Sequence, residues 1–167
     1  MSLSAADRAE ILDVIGRADA AATRRDARAY ADLFTDDAVL DGTQGTHAGS
    51  AALLASVGPI WAAEGPASLH LTLNPVADPG DGPDEAVVHS ILLIVDPSAP
   101  ITIRTAASIT QTVRRQGGTW RISRRSVAPV SPPPCGGTSG KGEATRSFRI
   151  KKPFIRNGPG FHLARQD

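Results

Sequence analysis

The stretch Asp26-Ala27-Arg28-Ala29-Tyr30-Ala31-Asp32-Leu33-Phe34-Thr35-Asp36-Asp37-Ala38-Val39-Leu40-Asp41-Gly42 decides how this chain folds. Asp26 can cap a helix, because its carboxylate accepts the free backbone N–H groups of a first turn. Tyr30, Leu33 and Phe34 then recur at i, i+3 and i+4 and make one apolar stripe. Thr35-Asp36-Asp37 stops this short helix, and Ala38-Val39-Leu40 starts a strand.

Working outward, Ser4 and Asp7 have the spacing of a capping box in its Asp form. Behind them Ile11, Leu12, Ile15, Ala18 and Ala22 repeat at helical spacing to about Arg25, with Arg8, Asp13, Arg17 and Arg24 on the opposite, solvated face. Downstream, Gly45-Thr46-His47-Ala48-Gly49 reads as a loop, and Ser50 as the cap of a third helix through Leu53, Leu54, Val57, Ile60 and Trp61. Gly58-Pro59 predicts a kink or break in it, since Pro lacks the backbone donor and clashes with the preceding turn.

From Pro66 the period changes from 3.6 to 2. Leu69, Leu71 and Leu73 alternate with His70, Thr72 and Asn74, as in a half-buried strand. Ala86–Val95 is apolar on both faces apart from His89 and Ser90, which predicts a central strand covered on both sides. Ile101–Val113 is a long strand with small residues, Gly117-Gly118 is a hairpin signal, and Trp120–Val130 is the last strand. Strands joined by short turns, with the helices ahead of them, predict an α+β fold with a mostly antiparallel sheet.

A chain of 167 residues suits one compact domain. The net charge of +1 hides a split: residues 1–130 hold 11 Arg and no Lys against 15 Asp and Glu, while residues 131–167 hold seven basic and two acidic side chains. We therefore divide the chain into a domain at 1–130 and a basic, Pro/Gly-rich tail at 131–167, expected to be disordered. The single Cys135 excludes an internal disulfide and fits a reducing cytoplasm. The first residues lack the pattern of a signal peptide, and the longest strongly apolar run, Ile91–Val95, is too short for a membrane span.

His47, His70, His89 and His162 lack metal-ligand spacing, so no metal or cofactor is expected. Gly136–Gly142 resembles a phosphate loop but lacks its first Gly, the Ser or Thr after Lys141, and a preceding strand. No Gly-x-Ser-x-Gly elbow is present. Arg149, Lys151, Lys152 and Arg156 interleave with Phe148 and Phe154, yet an acidic domain with a short tail argues against a nucleic-acid partner.

The order of elements over residues 5–130 resembles the SnoaL-like branch of the NTF2-like superfamily. The carrying pieces are Thr23–Gly42, His70-Leu71-Thr72-Leu73-Asn74-Pro75 and Gly118-Thr119-Trp120-Arg121-Ile122. The resemblance implies a cone of curved sheet and three N-terminal helices around a pocket. It also implies relatives such as ketosteroid isomerase, scytalone and bile-acid dehydratases, polyketide cyclases, and the small subunits of ring-hydroxylating dioxygenases. Such enzymes place an acid/base group in an apolar pocket, where desolvation tunes it. Here the inward Tyr of the first helix is replaced by Ala18, and the Asp before the inter-helix turn by Thr23. The isomerase-type base falls at Gly42, with Asp41 one residue early; its second carboxylate falls near Ala107. Asp41 can serve only where a bulge shifts the strand register.

The resemblance puts the acid/base at His70, with Asp41 or Asp19 fixing its tautomer. Asn74 would orient a substrate oxygen, and Tyr30 and Trp61 would line the pocket. The bland readings stand beside these: His70 and Asn74 on the outer sheet face, Asp41 as a strand-end residue, Tyr30 as core. Two functions remain, a cofactor-independent lyase, isomerase or cyclase on an apolar cyclic ketone or polyketide-like molecule, and a non-catalytic ligand-binding or assembly module. The two-sided apolar strand at 86–95 predicts a homodimer packed through the sheet.

Overall fold

The computed structural model describes residues 2–130; the expectations for the tail at 131–167, including the loop at 136–142, lie outside the described residues. Helix α1 (Ala5–Thr23) starts at Ser4, whose Oγ accepts from the Asp7 N–H at 3.0 Å and donates to Asp7 Oδ2 at 2.6 Å. Its buried stripe is Ile11, Val14, Ile15, Ala18 and Ala22, with the charged Asp19 among them. Helix α2 (Ala27–Ala31) is capped by Asp26, which accepts from the Ala29 N–H at 3.0 Å.

Strand β1 (Phe34–Gly42) begins four residues before the expected Ala38. The reason is tertiary: the Leu33 carbonyl accepts from the Ile122 N–H at 2.9 Å, and Phe34 pairs with Ile122. The predicted loop at Gly45–Gly49 is instead strand β2 (Gly45–Ala48), folded back on β1 with Leu40 opposite His47. Gly45, at φ 113°, makes that tight reversal.

Helix α3 (Ser50–Glu64) corrects one expectation and rules out half of another, the break at Pro59. Its N-cap is Gly49, not Ser50, and it continues through Pro59 without a break. Leu53, Ser56, Val57 and Trp61 bury one face along its length, so packing keeps both halves helical despite the missing donor.

Strands β3 (Leu69–Pro79), β4 (Glu85–Asp96), β5 (Thr102–Gln116) and β6 (Thr119–Pro129) follow. They complete a six-stranded sheet of order β2-β1-β6-β5-β4-β3, antiparallel throughout except for the parallel β1–β6 pair. Register shifts in β3 at Leu73/Val76, between β4 and β5 at Ile94/Val95, between β5 and β6 at Thr112/Val113, and in β1 at Phe34/Val39 mark the bulges. Bulges bend and twist strands, which is how a sheet acquires curvature. The helices lie on its concave face, with α1 against β3 and β6 and α3 against β1. The fold is α+β, as the sequence implied.

The main core joins α1, α2, α3 and one end of the sheet around Ile11, Ile15, Leu53, Val57, Val113, Trp120 and Ile122. A smaller cluster of Leu92, Ile94 and Ile109, with Val127 against it, lies on the sheet alone. Strand β4 is covered on only one side by the helices: His89 is exposed, and Ile91 and Leu93 are half-buried on the other face. No helix among the described residues is long and apolar enough to cross a membrane.

Candidate functional site

The helices do not fill the space over the smaller cluster, and a cavity of about 400 Å³ remains there. Leu92 and Ile94 of β4, Ala107 of β5, and Val127 and Pro129 of β6 form its floor. Val57, Ile60, Trp61 and Glu64 of α3, with Tyr30 of α2, form the opposite wall; Gly42–Gly45 and His47 border it at the β1–β2 hairpin. Mostly apolar walls with a few polar groups are the usual composition of a small-molecule site.

His70 is one of those polar groups. It sits on β3 opposite Ile94, turned to the concave face, and is 7 % exposed, whereas its neighbour Leu71 is 42 % exposed on the outer face. Its backbone N–H donates to Thr23 Oγ1 at 2.9 Å. Its ring Nε2 lies 3.0 Å from Glu64 Oε2, while Nδ1 is buried with no hydrogen-bond partner. The carboxylate beside His70 is thus Glu64, not Asp41 or Asp19. Glu64 is the last residue of α3, where Gly65 at φ 100° ends the helix and lets the chain turn into β3.

Arg25 stands behind this pair. At φ 59° in the α1–α2 turn, it donates from Nη1 to the Ala22 carbonyl at 3.1 Å and from Nη2 to the Gly65 carbonyl at 2.7 Å and to Ser68 Oγ. Nη1 also lies 3.5 Å from Glu64 Oε2, and the guanidinium carbon lies 5.9 Å from the centre of the Trp61 ring. Trp61 meets Tyr30 edge-on at 5.4 Å between ring centres, and Tyr30 lies 4.8 Å from Phe34. The wall of the cavity is therefore tied across four elements.

A second polar group enters from β6. Arg125 is 4 % exposed and lines the cavity. Its Nη2 lies 3.2 Å from Asp19 Oδ1, and Asp19 Oδ2 accepts from the Thr72 hydroxyl. Nη1 of Arg125 has no partner among the described residues. Burial works against the charge, but the Asp19 carboxylate beside it, which accepts a hydrogen bond from the guanidinium, holds the Arg125 pKa above its ordinary value. The Arg125 guanidinium carbon lies 6.0 Å from the centre of the Tyr30 ring. Burial pushes the Tyr30 phenol up despite Arg125, so Tyr30 stays neutral and able to donate.

Of the remaining candidates, Asp41 and Asn74 separate from this site. Leu40 of β1 lines the cavity, so Asp41 points to the other face, where it accepts from the Thr46 hydroxyl at 2.8 Å and pairs with Arg124. The Thr46 hydroxyl and the Arg124 charge hold the Asp41 carboxyl below the usual range, which makes it a poor base. Asn74 stands at the β3 bulge with φ 50°, is exposed, and takes no part in the cavity lining. Asp19 is buried but serves Arg125. Tyr30 and Trp61 do line the cavity, and Ala18 is core at 0 % exposure. Sequence reasoning missed Glu64, Arg125 and Arg25. Among the described residues, no three His, Cys, Asp or Glu side chains cluster as metal ligands would.

The family model described as SnoaL-like domain matches residues 4–126. No curated protein matches the chain. Among solved structures, a Nostoc punctiforme protein of unknown function with a cystatin-like fold is similar at 24 % identity and a TM-score of 0.72, over 80 % of this chain and 98 % of that one. An NTF2-like protein with a cystatin-like fold from Novosphingobium aromaticivorans is similar at 23 % identity and a TM-score of 0.66, over 77 % and 84 %. An NTF2-like protein of unknown function from Pseudomonas putida is similar at 19 % identity and a TM-score of 0.64, over 75 % and 88 %. These likenesses bear on the fold alone.

Proposed function

Because the chain belongs to the SnoaL-like domain family, we propose that its cavity binds a small apolar molecule and that His70 and Glu64 move a proton on it. The reading is a cofactor-independent lyase, isomerase or cyclase acting on an apolar cyclic ketone or polyketide-like substrate. The observation that carries it is the 3.0 Å contact of His70 Nε2 with Glu64 Oε2, both residues lining the same cavity. A histidine and a carboxylate in contact share protons as a unit, and one member can take a proton that the other stabilises.

Removing the proton next to a ketone sends the C–H electron pair toward the carbonyl oxygen. That oxygen then needs a donor, and the neutral Tyr30 hydroxyl is the group for it, in place of Asn74. The dyad returns the proton at another carbon in an isomerase, or gives it to a departing hydroxyl in a lyase. No oxidant or reductant is needed in either case. The test is α-proton exchange of β-tetralone in D2O followed by NMR. The expected outcome is exchange faster than in buffer, lost in both His70→Ala and Glu64→Gln while circular dichroism stays unchanged. Exchange at the buffer rate, or indifferent to both substitutions, rejects the chemistry.

The second reading, a non-catalytic ligand-binding or assembly module, draws on Ala18 and Thr23. Ala18 is spent on the core, and Thr23 Oγ1 on the His70 backbone. In either case we propose a homodimer through the outer face of the sheet. There Leu71 opposes Leu93, which opposes Ala106, and Leu73 opposes Ile91. Leu71, Leu73, Val76 and Ile103 are 41–58 % exposed, and a second copy offers the same surface in return.

A further inference from the structure

Among the described residues two cations line the cavity, Arg104 and Arg125, against one carboxylate, Glu64. The carboxylates that neutralise the two arginines, Asp96 and Asp19, stand outside the lining. Glu64 is already engaged by His70 and Arg25. The positive side of each outer pair therefore faces the hollow. Arg125 is also under-used: among the described residues its only ionic contact is one N···O distance of 3.2 Å, and Nη1 is buried without a partner there. Guanidinium can only donate, so the partner it lacks is an acceptor, and an ionised acceptor forms the strongest such bond. A buried orphan donor is costly, which leaves a reward for any ligand that supplies the acceptor.

We propose that the ligand of this cavity is an apolar ring compound bearing a carboxylate, and that Arg125 receives that carboxylate. The proposal rests on the small-molecule reading of the cavity given above. Leu40, Val57, Trp61, Leu92, Ile94 and Val127 enclose the ring portion, and Asp19 with Thr72 holds the guanidinium in place from behind. Asp19 is thereby a positioning residue, acting through Arg125.

The test uses the full chain and three probes of one ring system: 2-naphthoate, 2-acetylnaphthalene and 2-ethylnaphthalene. Binding is followed by quenching of Trp fluorescence, since Trp61 lines the cavity. The expected result is naphthoate bound about ten- to a hundredfold more tightly than the ethyl compound, the gain of a charge-assisted hydrogen bond at a buried site. That preference disappears in Arg125→Met. Because that change strands the Asp19 charge, the paired variant Asp19→Asn/Arg125→Met is measured alongside and loses the preference equally. Acid, ketone and hydrocarbon bound alike overturn the carboxylate seat while leaving the small-molecule cavity standing. Ketone bound as tightly as acid, with both above the hydrocarbon, also overturns it in favour of a neutral acceptor. A preference for acid that survives in the paired variant takes the role away from Arg125. Binding of none of the three at millimolar concentration overturns the cavity reading, and this proposal with it.

Discussion

At the scale of single residues, the buried Asp19–Arg125 pair is the feature with the largest stake in stability. Removing one member of such a pair leaves an uncompensated charge in a poor solvent, at a cost of about 3–5 kcal/mol. Arg125→Met is therefore expected to lower the denaturation midpoint steeply. Asp19→Asn/Arg125→Met should recover most of the loss, and urea titration of the two proteins checks this. Outside the cavity, the Ser98 hydroxyl and N–H and the Arg104 guanidinium hold the Asp96 carboxyl down to about 2. Its folded pKa lies below the unfolded value, so its contribution is present above the ordinary carboxylate range and is lost as pH falls through about 2. An NMR titration of the Asp96 carboxyl should show that midpoint, and Arg104→Met should raise it. His70 was legible from its place in a period-2 strand. Arg125 was not: strict alternation from Ile122 points Arg124 inward, but the bulge opposite Thr112/Val113 inserts one residue and exchanges the two. A bulge likewise carries Asn74 off the face it shares on paper with His70. Glu64 left a faint signal, an acidic residue at a helix C-terminus where the macrodipole disfavours it.

At the scale of elements, the helices carry two glycines that contribute nothing visible to packing. A Cβ built on Gly16 of α1 or Gly58 of α3 meets nothing within 4 Å, and both positions are exposed. Replacing Gly16 by Ala shortens the list of unfolded conformations without adding a clash, which stabilises by about 0.4–1 kcal/mol, whereas a Cβ at position 58 crowds the ring of its chain neighbour Pro59 in the helical conformation. Differential scanning calorimetry should show a raised Tm for Gly16→Ala and a lowered one for Gly58→Ala, and a raised Tm in both would mean that Pro59 tolerates a Cβ before it. Helix identity and the strands from residue 69 onward were legible because hydrophobic period and turn residues are local. The start of β1 and the existence of β2 were not, since both depend on pairing that no local pattern announces. Thr35-Asp36-Asp37 reads as a stop by composition, yet it stays within β1 as the bulge between the Phe34–Ile122 and Val39–Arg124 pairings with β6.

At the scale of the molecule, the sheet has one face committed to helices and cavity and another rich in exposed leucine, isoleucine and valine. If two copies meet there, Leu71→Glu places like charges across the symmetry axis. It should then convert a dimer to a monomer in sedimentation velocity, with the α+β circular dichroism retained. A wild-type chain that sediments as a monomer at micromolar concentration refutes the pairing.

The parallel contact of β1 with β6 has its own consequence for how the chain becomes a protein. The segment made near the start of synthesis finds its neighbour only when residues 119–129 exist, so most of the polypeptide must be held in reserve before the sheet can close. Sequence-distant partners of this kind slow folding, because a long loop is closed before any contact rewards it. A chain cut off before residue 119 would carry helices and a β3–β4–β5 meander with one border unzipped, and that raw border is where a holding chaperone would have its work.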